Sequence, residues 1–146
     1  MSELNNKQEI LDEIFKQIKN KNYKQAEKEL IKIIQSKKDN YQAYFLLGIV
    51  HGVNKKFEKA IESFKSSISL NNKNKLALYN LGIMLKEVGK IEESNSLFNK
   101  ALEIDPNYIE ANLAVAKFND EKNNYLQAKK YYEKTLSLDV NNNLAN

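Results

Sequence analysis

Slid against itself by 34 residues, the sequence matches in columns that preserve side-chain size. Leu47-Gly48 recurs as Leu81-Gly82 and, conservatively, as Val115-Ala116. Ala26, Ala60, Ser94 and Ala128 form a small-residue column, and Leu30, Phe64, Phe98 and Tyr132 a bulky one. Tyr23, Phe57, Ile91 and Tyr125 make a further column, as do Ile33, Ser67, Ala101 and Thr135. A fixed period of this length marks an array of supersecondary units, none of which can bury its apolar face alone. Small residues recur where two helix backbones come close, and large ones where the gap between helices is filled. Four copies fit, at approximately 7–40, 41–74, 75–108 and 109–142, and the chain reads as one domain over 1–146.

Local signals place two helices in each copy, eight in all. Gly89 and the asparagines Asn20, Asn54 and Asn123 stand where a first helix should stop, because Gly and Asn tolerate the left-handed conformation that ends helices. Asp105-Pro106 reads as an N-cap followed by Pro at the first helical position. In the first copy Leu11, Ile14, Phe15 and Ile18 have helical spacing but run one residue late against Tyr23 and Ala26. Either that helix turn is one residue shorter or the first helix is rotated. Gly48 and Gly82 lie mid-helix at about 1 kcal/mol each relative to Ala, a cost that close packing against the partner helix offsets.

Composition removes several classes of function. With no Cys there is no disulfide framework, thiolate zinc site, iron–sulfur cluster or thiol nucleophile. All 23 basic residues are Lys and they interleave with 19 acidic ones. Without the bidentate fork of Arg, and without a basic stripe, no nucleic-acid partner is expected. The longest apolar run, Tyr44 to Val50, is broken by Gly48 and falls far short of the roughly 18 residues a spanning helix needs. Met1-Ser2-Glu3-Leu4-Asn5-Asn6 lacks the basic-then-apolar order of a secretory signal, so the expectation is a cytoplasmic protein with no membrane partner. His51 is the only histidine, and a lone His without Cys makes a poor metal site or nucleophilic relay, so a packing role is expected. The acidic pairs Glu92-Glu93 and Asp120-Glu121 point in different directions on a helix. None of the four Gly residues falls in a phosphate-loop pattern. The chain is therefore read as non-enzymatic, with no catalytic residues, no metal and no cofactor.

The columns resemble the tetratricopeptide repeat, whose pattern is a bulky residue, Leu-Gly, an aromatic, then Ala, an aromatic and a terminal Pro. Tyr44, Leu47, Gly48, His51, Ala60 and Phe64 fill these slots in the second copy. In the third they are Leu78, Leu81, Gly82, Leu85, Ser94, Phe98, Ala101 and Pro106. The fourth departs from the pattern, with Asn112 in the bulky slot, Asn119 in the aromatic slot and no terminal Pro. Degenerate end copies suit a solenoid, whose terminal repeats face water on one side. The resemblance implies an all-α, right-handed superhelical solenoid of four helical hairpins, with the first helices lining a concave groove.

Read onto this chain, that groove face holds Leu11 and Phe15, then Phe45, Leu46, Ile49 and Val53, then Leu76, Tyr79, Asn80 and Ile83, and finally Leu113, Ala114 and Lys117. In the second copy the signature residues already account for the packed face, so Phe45, Leu46, Ile49 and Val53 are surplus apolar residues in need of a partner. Phe45, Ile49 and Tyr79 are expected to act as solvent-facing anchors. The function implied is a non-catalytic protein–protein interaction scaffold that takes an apolar or amphipathic peptide or helix in the groove. The alternative is a structural module that self-associates through the groove or the terminal helix. A third reading, an electrostatic binder of acidic partners, rests on Lys32, Lys100 and Lys134, which share a column. The family's clamp for chaperone C-terminal carboxylates is not expected. Its slots hold Leu11, Phe15, Leu46, Leu76 and Asn80 in one frame, and Phe45, Ile49, Asn80, Glu110 and Ala114 in the other.

Overall fold

The computed structural model describes the backbone of residues 2–144 and the side chains of residues 8–140. The side chains of Met1–Asn6 and of 141–146, on which the sequence reading also touched, lie outside the described residues. The chain divides into two compact units, Met1–Asn72 and Lys73–Asn146. The first holds α1 (Ser2–Lys19), α2 (Tyr23–Ser36), α3 (Tyr41–Val53) and α4 (Phe57–Leu70). The second holds α5 (Lys75–Glu87), α6 (Ile91–Ile104), α7 (Ile109–Glu121) and α8 (Tyr125–Leu144). Among the described residues the fold is all-α, with eight helices in four hairpins, and the last three hairpins open at 41, 75 and 109, 34 residues apart. Within each unit every helix packs on the next in chain order, and α1 also reaches α3.

The recurring Gly-aromatic contact explains the hairpins. A Cβ added at Gly48 would lie 2.6 Å from Phe64 Cε1, and one at Gly82 would lie 2.6 Å from Phe98 Cε1. Only Gly lets the first helix approach the ring of the second this closely. The small-residue columns close the same interface, with Ala26, Ala60, Ser94 and Ala128 all buried.

Each hairpin turns through one left-handed residue, and these too are 34 apart: Lys21, Lys55, Gly89 and Asn123, with φ of 61°, 58°, 81° and 60°. In the first two copies this is one residue later than Asn20 and Asn54. The turn geometry decides the position. The amide three residues beyond the helix donates back to a carbonyl five residues earlier, as in Asn22 to Gln17 at 2.8 Å and Lys56 to His51 at 2.9 Å. This bond fixes the left-handed residue regardless of side chain. Because Lys21 keeps this column, the first hairpin turn is not shortened. Instead α1 is rotated, burying Leu11, Ile14 and Ile18 while Phe15 is exposed.

Asp105-Pro106 does not open α7. Asp105 is the C-cap of α6, and its Oδ1 accepts from the Asn107 amide at 2.9 Å, so Pro106 lies in the connecting turn. The capping column is Asn40, Asn74 and Tyr108. Asn40 accepts from the Ala43 amide at 3.0 Å, and Asn74 accepts from the Leu76 and Ala77 amides at 3.1 Å. In the last copy Tyr108 takes this place without a side-chain cap. There the buried Asn112 compensates, its Nδ2 donating to Pro106 O at 3.0 Å and to Tyr108 O at 2.9 Å. Asn112 thus holds a loop from a slot that the other copies give to Tyr44 and Leu78.

Candidate functional site

In the second unit a cleft of about 170 Å³ opens on α5, α6 and α7, lined by Tyr79, Ile83, Lys86, Phe98, Glu110, Leu113, Ala114 and Lys117. Its floor is apolar and aromatic. Tyr79 stacks obliquely on Phe98 at 5.4 Å between centroids and meets the edge of Tyr108 at 5.3 Å. Lys75 ion-pairs with Asp105 and lies 5.1 Å over the Tyr108 ring, which fixes the ring from outside. Burial, reinforced by the nearby Glu110 carboxylate, raises the Tyr79 and Tyr108 phenols above their ordinary value. Charge is confined to the rim. Lys86 pairs with Glu121 at 3.5 Å, and Lys117 and Glu110 are exposed.

Of the residues expected on this face, Tyr79, Ile83 and Leu113 are brought together in the cleft, as are Ala114 and Lys117. Asn80 is half-buried beside them, and its Nδ2 is committed to Leu76 O at 2.8 Å on its own helix. Leu76 is exposed outside the cleft. Two lining residues were not expected on this face: Lys86, one helical turn after Ile83, and Phe98, a member of the interhelical column. Glu110 was considered only as a clamp slot, although it lies one turn before Leu113.

In the first unit the expected set separates. Val53 and Phe15 are exposed, and Phe15 lies under the Lys19 ammonium at 4.7 Å. Phe45 and Ile49 are half-buried against the core, with the Phe45 ring 5.9 Å from Phe64. Leu46 is corrected from groove to core: it is 8% exposed and packs with Leu11, Ile14, Ala26, Leu30 and Val50. Leu11 is core for the same reason. Because α3 contacts both α2 and α4 and is touched by α1, it buries a wider arc than one face, and Leu46 falls inside it. The expected anchors lie between core and solvent. Phe45, Ile49 and Tyr79 present only part of their surface, since their side chains reach the neighbouring helix.

His51 is 7% exposed. Its Nδ1 lies 3.3 Å from Ser63 Oγ and its Nε2 lies 3.2 Å from Glu27 Oε1. The Ser-His-Glu order resembles a hydrolase triad, but Ser63 is buried and its Oγ bridges the imidazole Nδ1, at 3.3 Å, and the Lys59 carbonyl of its own helix, at 2.8 Å. The group joins α2, α3 and α4. Partial burial works to raise the Glu27 carboxyl, but hydrogen bonds and charge from Lys56 and His51 outweigh it and hold it below the usual carboxylate value. Its contribution to stability is complete above the unfolded-state carboxylate pKa and is lost as pH falls through the lower folded value. Glu27→Gln should therefore melt below the parent at neutral pH, with the difference shrinking in acid. Thermal melts at pH 7 and pH 3 measure it, and a pH-independent difference would show that the carboxylate charge contributes nothing.

Among the described residues no group of three or more His, Cys, Asp or Glu is placed to hold a metal, and none of the described helices is long and apolar enough to cross a membrane. The structure is a series of helical hairpins with an apolar face on their first helices. Sequence profiles of the tetratricopeptide repeat match residues 76–108, 41–74 and 109–142. The chain belongs to the tetratricopeptide repeat family, and its repeat array is a non-catalytic protein-interaction scaffold. Anaphase-promoting complex subunit 3 of Schizosaccharomyces pombe is similar at 28% identity over 123 residues, covering 84% of this chain and 18% of that protein. The uncharacterized protein ycf37 of Pyropia yezoensis is 32% identical over 105 residues, covering 70% of this chain and 56% of that protein. The chain thus spans between 18% and 56% of the length of these curated relatives. Among solved structures, that of MamA matches with a TM-score of 0.84 at 22% identity, covering 91% of this chain and 78% of that one. That likeness concerns the fold.

Proposed function

We propose that the first-helix face of the second unit binds an apolar or amphipathic segment of a partner protein, with one or two large apolar side chains seated in the Tyr79–Ile83–Leu113 cleft. The observation that carries this reading is the cleft itself. Its floor is apolar and aromatic and its charges stand on the rim, which suits an apolar anchor with polar flanks. Each buried apolar side chain contributes roughly 1.5–3 kcal/mol before the cost of association, so micromolar affinity is expected. Phe15 and Val53 in the first unit supply further exposed apolar surface.

Selection of random linear peptides displayed on phage, followed by titration of the isotope-labelled chain, tests the reading. Selected peptides should be rich in Leu, Ile, Phe or Trp and should shift the amides of Tyr79, Ile83 and Leu113. A C-terminal acidic tail peptide should bind only through exposed lysines, and its binding should vanish at moderate salt. Selected peptides that leave those amides unmoved, or salt-resistant capture of the acidic tail, would overturn the proposal.

A further inference from the structure

The row of side chains that α7 contributes to the cleft is complementary to itself. Glu110, Leu113, Ala114 and Lys117 line the cleft from α7, and steps of three, four and seven residues put them on one face of the helix. The acid stands at one end of the row and the lysine at the other, about 10 Å apart along the axis, with the apolar pair midway. A second copy of the helix laid antiparallel on this row, with a two-fold axis between Leu113 and Ala114, sets each Glu110 against the other copy's Lys117. Ala114 at the crossing point is small enough for the two helices to come close. The next positions outward, Asn107 and Asp120, then oppose each other without like charges.

Both charges are exposed. Elsewhere in the unit Lys75 pairs with Asp105, Lys86 with Glu121 and Lys122 with Glu92 across helices, whereas among the described residues Glu110 and Lys117 belong to no ion pair. Hairpin packing does not ask for them: one and two periods earlier the Glu110 slot holds Leu76 and Gln42, and the Lys117 slot holds Ile83 and Ile49. A nucleic acid or an acidic tail would answer the lysine and be repelled by the carboxylate. The occupant must bring both signs, seven residues apart and in the order an antiparallel helix presents, and α7 itself has that pattern. α5 extends the match, because at the same slots it offers Leu76, 44% exposed, and Ile83, so the flanking contact is apolar. The exposed face of α1 carries a similar order in Asp12, Phe15 and Lys19. There Lys16 replaces the second apolar residue, Asp12 accepts from Gln8 at 3.0 Å and Lys19 lies 4.7 Å over Phe15, so those groups are engaged on their own helix. We propose that two copies of the chain pair through α7 about a two-fold axis, with two Glu110–Lys117 ion pairs closing over Leu113 and Ala114. This rests on the reading of the cleft as a recognition surface and adds a regulation of it: the dimer covers the floor that a partner segment would take, so the two exclude each other.

Because the face is small, the dimer should be weak, with a Kd on the order of 10–100 µM, and sedimentation equilibrium over a concentration series at low salt measures it. Glu110→Lys and Lys117→Glu should each weaken it by about tenfold or more, since each variant paired with itself sets like charges together twice. Both should leave the melting temperature unchanged, because the two side chains are exposed. An equimolar mixture of the two variants should recover the parent's dimer, one copy then offering two carboxylates and the other two lysines. Peptides selected for the cleft should dissolve the parent's dimer. A chain that stays monomeric while such peptides still shift Tyr79, Ile83 and Leu113 would overturn the pairing and leave the partner-segment reading standing. A dimer indifferent to the charge reversals, or one that Phe15→Asp dissolves and that mixing does not restore, would place the contact elsewhere and overturn the proposal. Recovery on mixing, with selected peptides that leave the cleft unmoved, would uphold the pairing and overturn only the partner-segment reading.

Discussion

Gly48→Val should destabilise the first unit by about 3 kcal/mol, the upper part of the range for overpacking a tight core. A Cβ at this position meets Phe64 Cε1, Cδ1 and Cζ at 2.6, 2.7 and 2.9 Å. The ring is 1% exposed, with the Phe45 ring tilted against it at 5.9 Å between centroids, so it has little room to retreat. Removing Gly from mid-helix returns only a few tenths of a kcal/mol with a β-branched replacement, so the clash decides the sign. The pair can be tested as a unit. Phe64→Leu alone costs roughly 1–2 kcal/mol through lost volume. In the double variant the smaller side chain makes room for Val, so the combined loss should fall short of the sum by about 1 kcal/mol or more. Chemical denaturation of the four proteins gives this coupling, and additive losses would mean that Gly48 and Phe64 do not share the contact. Gly82 and Phe98 should repeat the pattern in the second unit, where the Cβ distance to the ring is again 2.6 Å.

Contacts that repeat were legible in the sequence, because a column shows which side chains face each other without any knowledge of distance. The close packing of Gly48 and Gly82 against a partner helix was visible in this way, and so was the 34-residue spacing of the hairpins. What escaped depends on neighbours that one copy cannot reveal. Leu46 has the spacing of a groove residue, yet it lies in a helix packed on more than one side, and no column distinguishes an arc of one face from an arc of two. Lys21 and Lys55 hold left-handed positions because the turn's hydrogen bonds impose them, whereas residue type pointed one position earlier. Asp105 had the look of an N-cap, but its carboxylate serves the turn and Lys75. The Glu27–His51–Ser63 group escaped because it joins three helices at separations of 24 and 12 residues, and none of its members repeats.

The second large effect separates folding from recognition on adjacent helix positions. Leu81→Asp should unfold the second unit, because its side chain is 4% exposed and burying an unpaired carboxylate there costs more than about 4 kcal/mol. Leu113→Asp should leave the unit folded, since that side chain lines an open cleft where a carboxylate can reach water. The same change should abolish capture of an apolar segment, whose anchor would have to desolvate the charge. Tyr79→Asp belongs between the two. It loses the ring contacts at 5.4 and 5.3 Å with Phe98 and Tyr108, worth about 0.5–1.5 kcal/mol each beyond burial, and it empties the floor of the cleft as well. Thermal melts should therefore rank the variants Leu81→Asp, Tyr79→Asp, Leu113→Asp in decreasing damage, while peptide titration should find Tyr79→Asp and Leu113→Asp equally unable to bind. A Leu113→Asp variant that melts as early as Leu81→Asp would make Leu113 a core residue. In that event the cleft would be a packing flaw between α5 and α7, and the reading of it as a binding site would fall.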